Sequence, residues 1–93
     1  MYSALVCCRA GMGSSMLLKI KADQVINENK FPIVTEHGNL DSLSGFKGDL
    51  IITMDDLSEE LRSQGFYALG IRNIVDKEEM KTKLLVFLAA KES

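Results

Sequence analysis

Apolar positions along this chain recur in two rhythms, short continuous runs and helical stripes, and these alternate from one end to the other. Tyr2 to Cys7 is a short apolar run with glycines downstream, the pattern of a strand buried on both faces. Leu18, Ala22, Val25 and Ile26 then fall at i, i+4, i+7 and i+8, a single stripe along a helix. Asn29 and Pro32 are expected to close that helix. Ile33 to His37 predicts a second strand, and Asn39 or Asp41 is placed to cap a short helical turn running to Gly45. Leu50 to Thr53 predicts a third strand, after which Asp55 is expected to cap a helix reaching Arg62. Gly65 ends that piece, and Tyr67 to Ile71 predicts a fourth strand. Asp76 with Glu79 has the spacing of a capping box in its Asp form, opening a last helix that buries Met80, Leu84, Phe87 and Leu88.

Four β-then-α units in succession predict an open four-stranded parallel sheet with helices on both faces. This is the doubly wound, three-layer α/β arrangement of Rossmann- and flavodoxin-like folds, here expected as one domain over residues 1–93. In such sheets ligands sit outside the carboxyl ends of the strands, near the point where the strand order switches. The segment leaving the first strand, Cys8 to Ser15, lies at that edge.

Composition narrows the class further. The 93 residues are 46% apolar and 26% charged, a globular balance with one core. The longest apolar run near the end, Leu84 to Ala90, is seven residues, far short of a membrane span. No basic region precedes the first apolar run, which Arg9 interrupts, so a secretory signal is not expected. Cys7 and Cys8 are adjacent, which suits neither a disulfide framework nor a zinc site, and the reducing cytoplasm is the expected compartment. A net charge of −2 advertises no nucleic-acid surface. Its distribution says more. Residues 1 to 22 carry three cations, Arg9, Lys19 and Lys21, and no carboxylate, while all thirteen acids lie beyond. That asymmetry favours an anionic ligand near the N-terminal segment.

The segment reads Cys8-Arg9-Ala10-Gly11-Met12-Gly13-Ser14-Ser15. Glycines at 11 and 13 permit positive φ, so that successive N–H groups can point into one concavity. Ser14 and Ser15 are expected to cap the following helix, whose first amides and dipole attract anions. The same surroundings stabilise a thiolate, which makes Cys8 a candidate nucleophile toward phosphorus. Cys7, inside the apolar run, reads as a small core residue. A glycine-x-glycine after a strand is by itself usually only a turn. No Lys follows the glycines as a Walker loop requires, and Met16 replaces the third glycine of a dinucleotide fingerprint. A cysteine phosphatase places an arginine six residues after its cysteine to clamp the phosphoryl group, whereas that position from Cys8 is Ser14. What remains is a site that holds a phosphoryl group on sulfur and passes it on.

Cys-x-x-Gly-x-Gly-Ser-Ser-Met followed by Lys-Ile-Lys resembles the IIB components of the bacterial phosphoenolpyruvate-dependent sugar phosphotransferase system, within it the ascorbate-type branch of the ascorbate/galactitol group. Gly48-Asp49-Leu50-Ile51-Ile52-Thr53 is similar to that family's third strand, and Gly70-Ile71-Arg72-Asn73-Ile74 to its fourth-strand segment. Arg9 departs from the family pattern, which tends to glycine there. The resemblance implies that Cys8 accepts a phosphoryl group from a phosphohistidine on the IIA component. It then donates the group to a sugar-like substrate, L-ascorbate, held by the membrane IIC transporter. The backbone of Arg9, Ala10, Gly11, Met12, Gly13, Ser14 and Ser15, with the two hydroxyls, would bind the phosphoryl oxygens. Arg72 and Asn73, at the end of the fourth strand, are placed either to border the site, to touch a partner or to stand solvated on the surface. No metal or diffusible cofactor is implied. His37 reads as an ordinary strand-end residue. The competing readings are a regulatory IIB-like domain in which the phosphocysteine signals, and a thiol phosphatase, which the serine at position 14 disfavours.

Overall fold

A computed structural model of the chain describes residues 1–7, 12–38 and 45–92, with the backbone alone at 12–15 and 92. The elements follow in the order β1 (Tyr2–Val6), α1 (Met12–Asn29), β2 (Ile33–His37), β3 (Leu50–Met54), α2 (Asp55–Ser63), β4 (Ala68–Ile71) and α3 (Lys77–Glu92). The strands form one sheet in the order β2-β1-β3-β4, and every neighbouring pair is parallel. Each apolar run thus becomes a strand, and the expected four-stranded α/β fold is the observed one. The short helical turn expected before Gly45 falls on residues 39–44, outside the described residues.

Alternation along the strands divides the core into two layers. Ala4, Val6, Leu50, Ile52, Leu69 and Ile71 face α1 and α3, where they meet Leu18, Ala22, Val25 and Ile26 together with Met80, Leu84, Phe87 and Leu88. Both helical stripes read from the sequence are therefore the buried ones. Leu5, Cys7, Ile51 and Ala68 face the other way, against Leu57 and Leu61 of α2. Phe87 anchors the thicker layer, with the rings of Tyr2 and Tyr67 meeting it edge-on at centroid distances of 5.4 and 5.1 Å.

Two helices end in the same device. After α1, Lys30 takes a left-handed backbone (φ 55°), and the Phe31 amide donates back to the Ile26 carbonyl at 3.0 Å. After α2, Gly65 takes φ 99°, and the Phe66 amide donates to the Leu61 carbonyl at 3.2 Å. Both are six-to-one closures that satisfy terminal carbonyls and turn a phenylalanine back onto the core. Only the second uses the residue for which positive φ is free.

Helix starts depart more from expectation. Asp55 is the first residue of α2 and not its cap; Met54 holds the cap position with extended backbone (φ −79°, ψ 157°) and supplies no side-chain hydrogen bond. The chain is already helical at Asp55 because its Cα packs under the sheet: a Cβ on Gly70 would lie 3.0 Å from it. The capping box is half formed. Asp76 Oδ1 accepts from the amides of Glu78 (3.0 Å) and Glu79 (3.2 Å), as a cap should. Glu79 does not reach back to Asp76, whose amide donates instead to the Asn73 carbonyl at 3.0 Å.

Candidate functional site

The carboxyl end of β1 is held from both sides. Gly38, just past β2, donates its amide to the Val6 carbonyl at 3.0 Å, and the Cys7 amide donates to the Ile52 carbonyl of β3 at 3.1 Å. Cys7 is buried on the α2 side, in the core role expected of it. Cys8, Arg9, Ala10 and Gly11 follow, and they lie outside the described residues. The chain re-enters as helix at Met12, earlier than the sequence predicts. Met12, Gly13, Ser14 and Ser15 are therefore the first turn of α1, so the serines stand inside the helix instead of capping it. Gly13 has right-handed helical backbone and has no use for positive φ. Extending a helix by a turn adds a hydrogen bond per residue, and this outweighs the cost of about 1 kcal/mol for one glycine. The consequence for binding is favourable, because the first four amides of a helix have no intrahelical acceptor.

These features meet at a switch in direction. From β1 the chain crosses by α1, on one face, to β2; from β3 it crosses by α2, on the opposite face, to β4. The carboxyl ends of β1 and β3 thus flank the crevice at which open α/β sheets place their ligands. On the β3 side the polar groups are Thr53, Asp55 and Ser58. Ser58 is fully buried and donates its hydroxyl to the Asp55 carbonyl at 3.0 Å. It fills the space that Gly70 leaves, since a Cβ there would lie 2.3 Å from Ser58 Oγ. Thr53, paired in register with Gly70, is also fully buried, and its Oγ1 has no hydrogen-bond partner among the described residues.

On the β4 side the pairing is complete. Glu79 accepts the amides of Arg72 and Asn73, each at 2.9 Å, and the Lys83 ammonium at 2.9 Å. Lys83 also donates to the Gly70 carbonyl on the open edge of β4. Burial alone would push the Glu79 carboxyl up. The two amides and the Lys83 charge outweigh it and hold the group down at about 2. With its backbone fixed, Arg72 extends its exposed side chain to within 3.9 Å of Asp55 at the head of α2. Asn73 spends its side chain locally, accepting the Val75 amide at 3.2 Å.

A family model described as the lactose/cellobiose-specific IIB subunit of the PTS system matches residues 3–85. The chain belongs to the PTS IIB family. Among curated relatives, the ascorbate-specific PTS system EIIB component of Shigella boydii is 32% identical over 91 residues, covering 92% of this chain and 88% of that one. The protein of the same name from Mycoplasma pneumoniae is 29% identical over 83 residues, covering 86% and 87%. Among solved structures, the lactose-specific IIB component domain from Streptococcus pneumoniae superposes with a TM-score of 0.61, at 19% identity and 95% coverage of both chains. A low molecular weight phosphotyrosine phosphatase from Vibrio cholerae shares the fold alone, at a TM-score of 0.51, 16% identity and coverage of 98% and 96%. As a PTS IIB domain the chain is a phosphoryl carrier that works with IIA and IIC partners. No helix among the described residues is long and apolar enough to cross a membrane.

Of the residues read as site candidates, the PTS IIB fold places Met12 to Ser15 and Arg72 at the same carboxyl edge as Cys7. Two residues escaped the sequence reading. Glu79 reads as half of a capping box, and nothing in its spacing reveals that it holds the β4–α3 connection. Thr53 did leave a signal: it is the first polar residue after Leu50-Ile51-Ile52, in a strand buried on both faces.

Proposed function

We propose that Cys8 accepts a phosphoryl group from a phosphohistidine on the IIA partner and passes it to a sugar-like acceptor, L-ascorbate, at the membrane IIC component. The observation that carries this reading is the clamped carboxyl end of the central strand β1 at Cys7, beside the switch point. Cys8 is the next residue in the sequence, in a segment without carboxylates that leads to the first-turn amides of α1. The Cys8 thiolate attacks phosphorus; the P–N bond of the phosphohistidine breaks as the P–S bond forms, and the imidazole departs and takes up a proton. In the second step a hydroxyl oxygen of the acceptor attacks, the P–S bond breaks, the thiolate leaves, and the hydroxyl proton goes to solvent or a base.

Backbone amides from Arg9 to Ser15 receive the phosphoryl oxygens, with the first-turn amides of α1 supplying donors and the positive end of the helix dipole. Arg72 borders the site from the β4 side. Ascorbate as acceptor is supported by the names of the curated relatives. We further propose that residues 1–93 act as one domain in the cytoplasm. Incubation with phosphorylated IIA should add one phosphate per chain. Cys8→Ser should abolish the label, whereas Cys7→Ser and His37→Gln should retain it. Label that survives Cys8→Ser overturns the assignment.

A further inference from the structure

Two cations finish the outer edge of the sheet. β4 is the last strand, and its register with β3 turns the amides and carbonyls of Ala68 and Gly70 away from the sheet. Arg62 reaches over from α2, on one face, and donates Nε to the Ala68 carbonyl at 3.0 Å. Lys83 reaches over from α3, on the opposite face, and donates to the Gly70 carbonyl. These carbonyls stand two residues apart on one strand, about 7 Å, and the outward Gly70 amide lies between them. A guanidinium, an amide and an ammonium thus follow one another along the edge.

The three donors line a groove of about 350 Å³, the size of a small-ligand site. Its walls are apolar: Phe66 and Tyr67 where the chain enters β4, and the exposed Val86 on α3. Arg62 and Lys83 bring two positive charges, and Glu79, bonded to Lys83 at 2.9 Å, brings one negative, which suits a monoanion. Both outward carbonyls already accept from a cation. A further strand, which needs carbonyls as well as amides, is therefore poorly served here. An acceptor with an apolar body is well served, by the Gly70 amide and the remaining guanidinium and ammonium protons.

We propose that this groove binds a small amphipathic carboxylate from solution. The carboxylate lies over the Gly70 amide between Arg62 and Lys83, and the apolar body lies against Phe66, Tyr67 and Val86. Binding there does not depend on phosphoryl transfer through Cys8.

The test titrates phenylacetate into the isotope-labelled full chain and follows the backbone amide resonances, with phenylacetamide as the uncharged probe of the same shape. Phenylacetate should give saturable shifts centred on Ala68 and Gly70, and phenylacetamide should bind at least about tenfold more weakly. Arg62→Gln, an exposed change that leaves Glu79 and Lys83 in place, should weaken phenylacetate by about tenfold while its amide spectrum away from β4 stays that of wild type. Val86→Glu, which sets a carboxylate on the groove wall, should abolish saturation. An absence of saturable shifts at Gly70 overturns the proposal. So does equal affinity for the two probes, which would make the groove merely apolar, or undiminished affinity in Arg62→Gln. Shifts at Ala68 and Gly70 that grow with protein concentration and no ligand would assign the edge to a second copy of the chain and overturn it as well.

Discussion

The carboxyl edge of the sheet carries two strand-to-helix junctions built to opposite standards. At the β4–α3 junction the polar groups are spent: Asp76 caps the helix, Glu79 takes two loop amides, and Lys83 joins the carboxylate to the strand edge. At the β3–α2 junction Met54 holds the cap position without a side-chain hydrogen bond, the Thr53 hydroxyl has no partner among the described residues, and the exposed Asp55 meets the tip of Arg72 at 3.9 Å. The first junction is a brace. The second lies at the switch point, next to the strand that Cys8 follows in the sequence, and is less fully paired among the described residues. Among the described residues the fully paired polar groups thus lie at the edge strand β4, and the unpaired hydroxyl lies on β3, beside β1.

Breaking the brace should have the largest effect. Glu79→Ala should lower stability by about 3 kcal/mol, read from urea midpoints, because it removes a mostly buried carboxylate with three donors. The same group sets a pH window. Its carboxyl is held down from 4.5 to about 2, so its contribution is present in full above pH 4.5 and is lost as pH falls toward 2. Wild type should therefore lose about 3 kcal/mol across that window through this group, and Glu79→Gln should show a correspondingly flatter acid limb. An equally steep limb in Glu79→Gln would move the brace elsewhere. Phosphoryl transfer near neutral pH, measured well below the melting range, should change less than stability does.

The contact shared by the two junctions comes next. Gly70→Ala places a Cβ 2.3 Å from Ser58 Oγ and 3.0 Å from the Asp55 backbone, so α2 must lift from the sheet. Thermal or urea unfolding should report a loss of about 2 kcal/mol from this overpacking. Because the start of α2 moves with it, transfer to Cys8 should slow as well, and this separates Gly70 from the Glu79 brace. An unchanged melting midpoint would mean that α2 has slack to absorb the methyl group.

The smallest change is a control at the other end of the sheet. Lys30→Gly relieves a positive φ where α1 meets β2 and should stabilise the domain by about 0.5–1 kcal/mol, with transfer unaffected. Calorimetric melting would show it. A stabilised Lys30→Gly that also transfers faster would show that stability alone sets the rate, against the division drawn here.

Legibility in the sequence followed the same division. Residues that act through periodicity were readable: the stripe Leu18, Ala22, Val25 and Ile26, the stripe Met80, Leu84, Phe87 and Leu88, and each of the four strands within about a residue of its observed ends. Fold class followed from their alternation. The candidate site was proposed from the strand-end rule combined with the glycines, the serines and the absent carboxylates, and Cys8 to Gly11 lie outside the described residues. What failed was local and depended on three-dimensional neighbours. Gly13, Ser14 and Ser15 look like breakers and caps, yet α1 runs through them from Met12. Asp55 looks like a cap, but the missing side chain of Gly70 lets α2 begin one residue earlier. Glu79 stands within reach of the Asp76 amide and of the Arg72 and Asn73 amides, and sequence spacing cannot say which it takes.

The central claim is that this domain keeps a phosphoryl group on Cys8 and hands it on without spilling it to water. The most direct measurement mixes the protein with phosphorylated IIA and follows both protein-bound and free phosphate, locating the label by tandem mass spectrometry. The account predicts one phosphate per chain, on Cys8, persisting until IIC and an acceptor such as L-ascorbate are supplied. Steady release of free phosphate with no acceptor present, or label on any other residue, would contradict it.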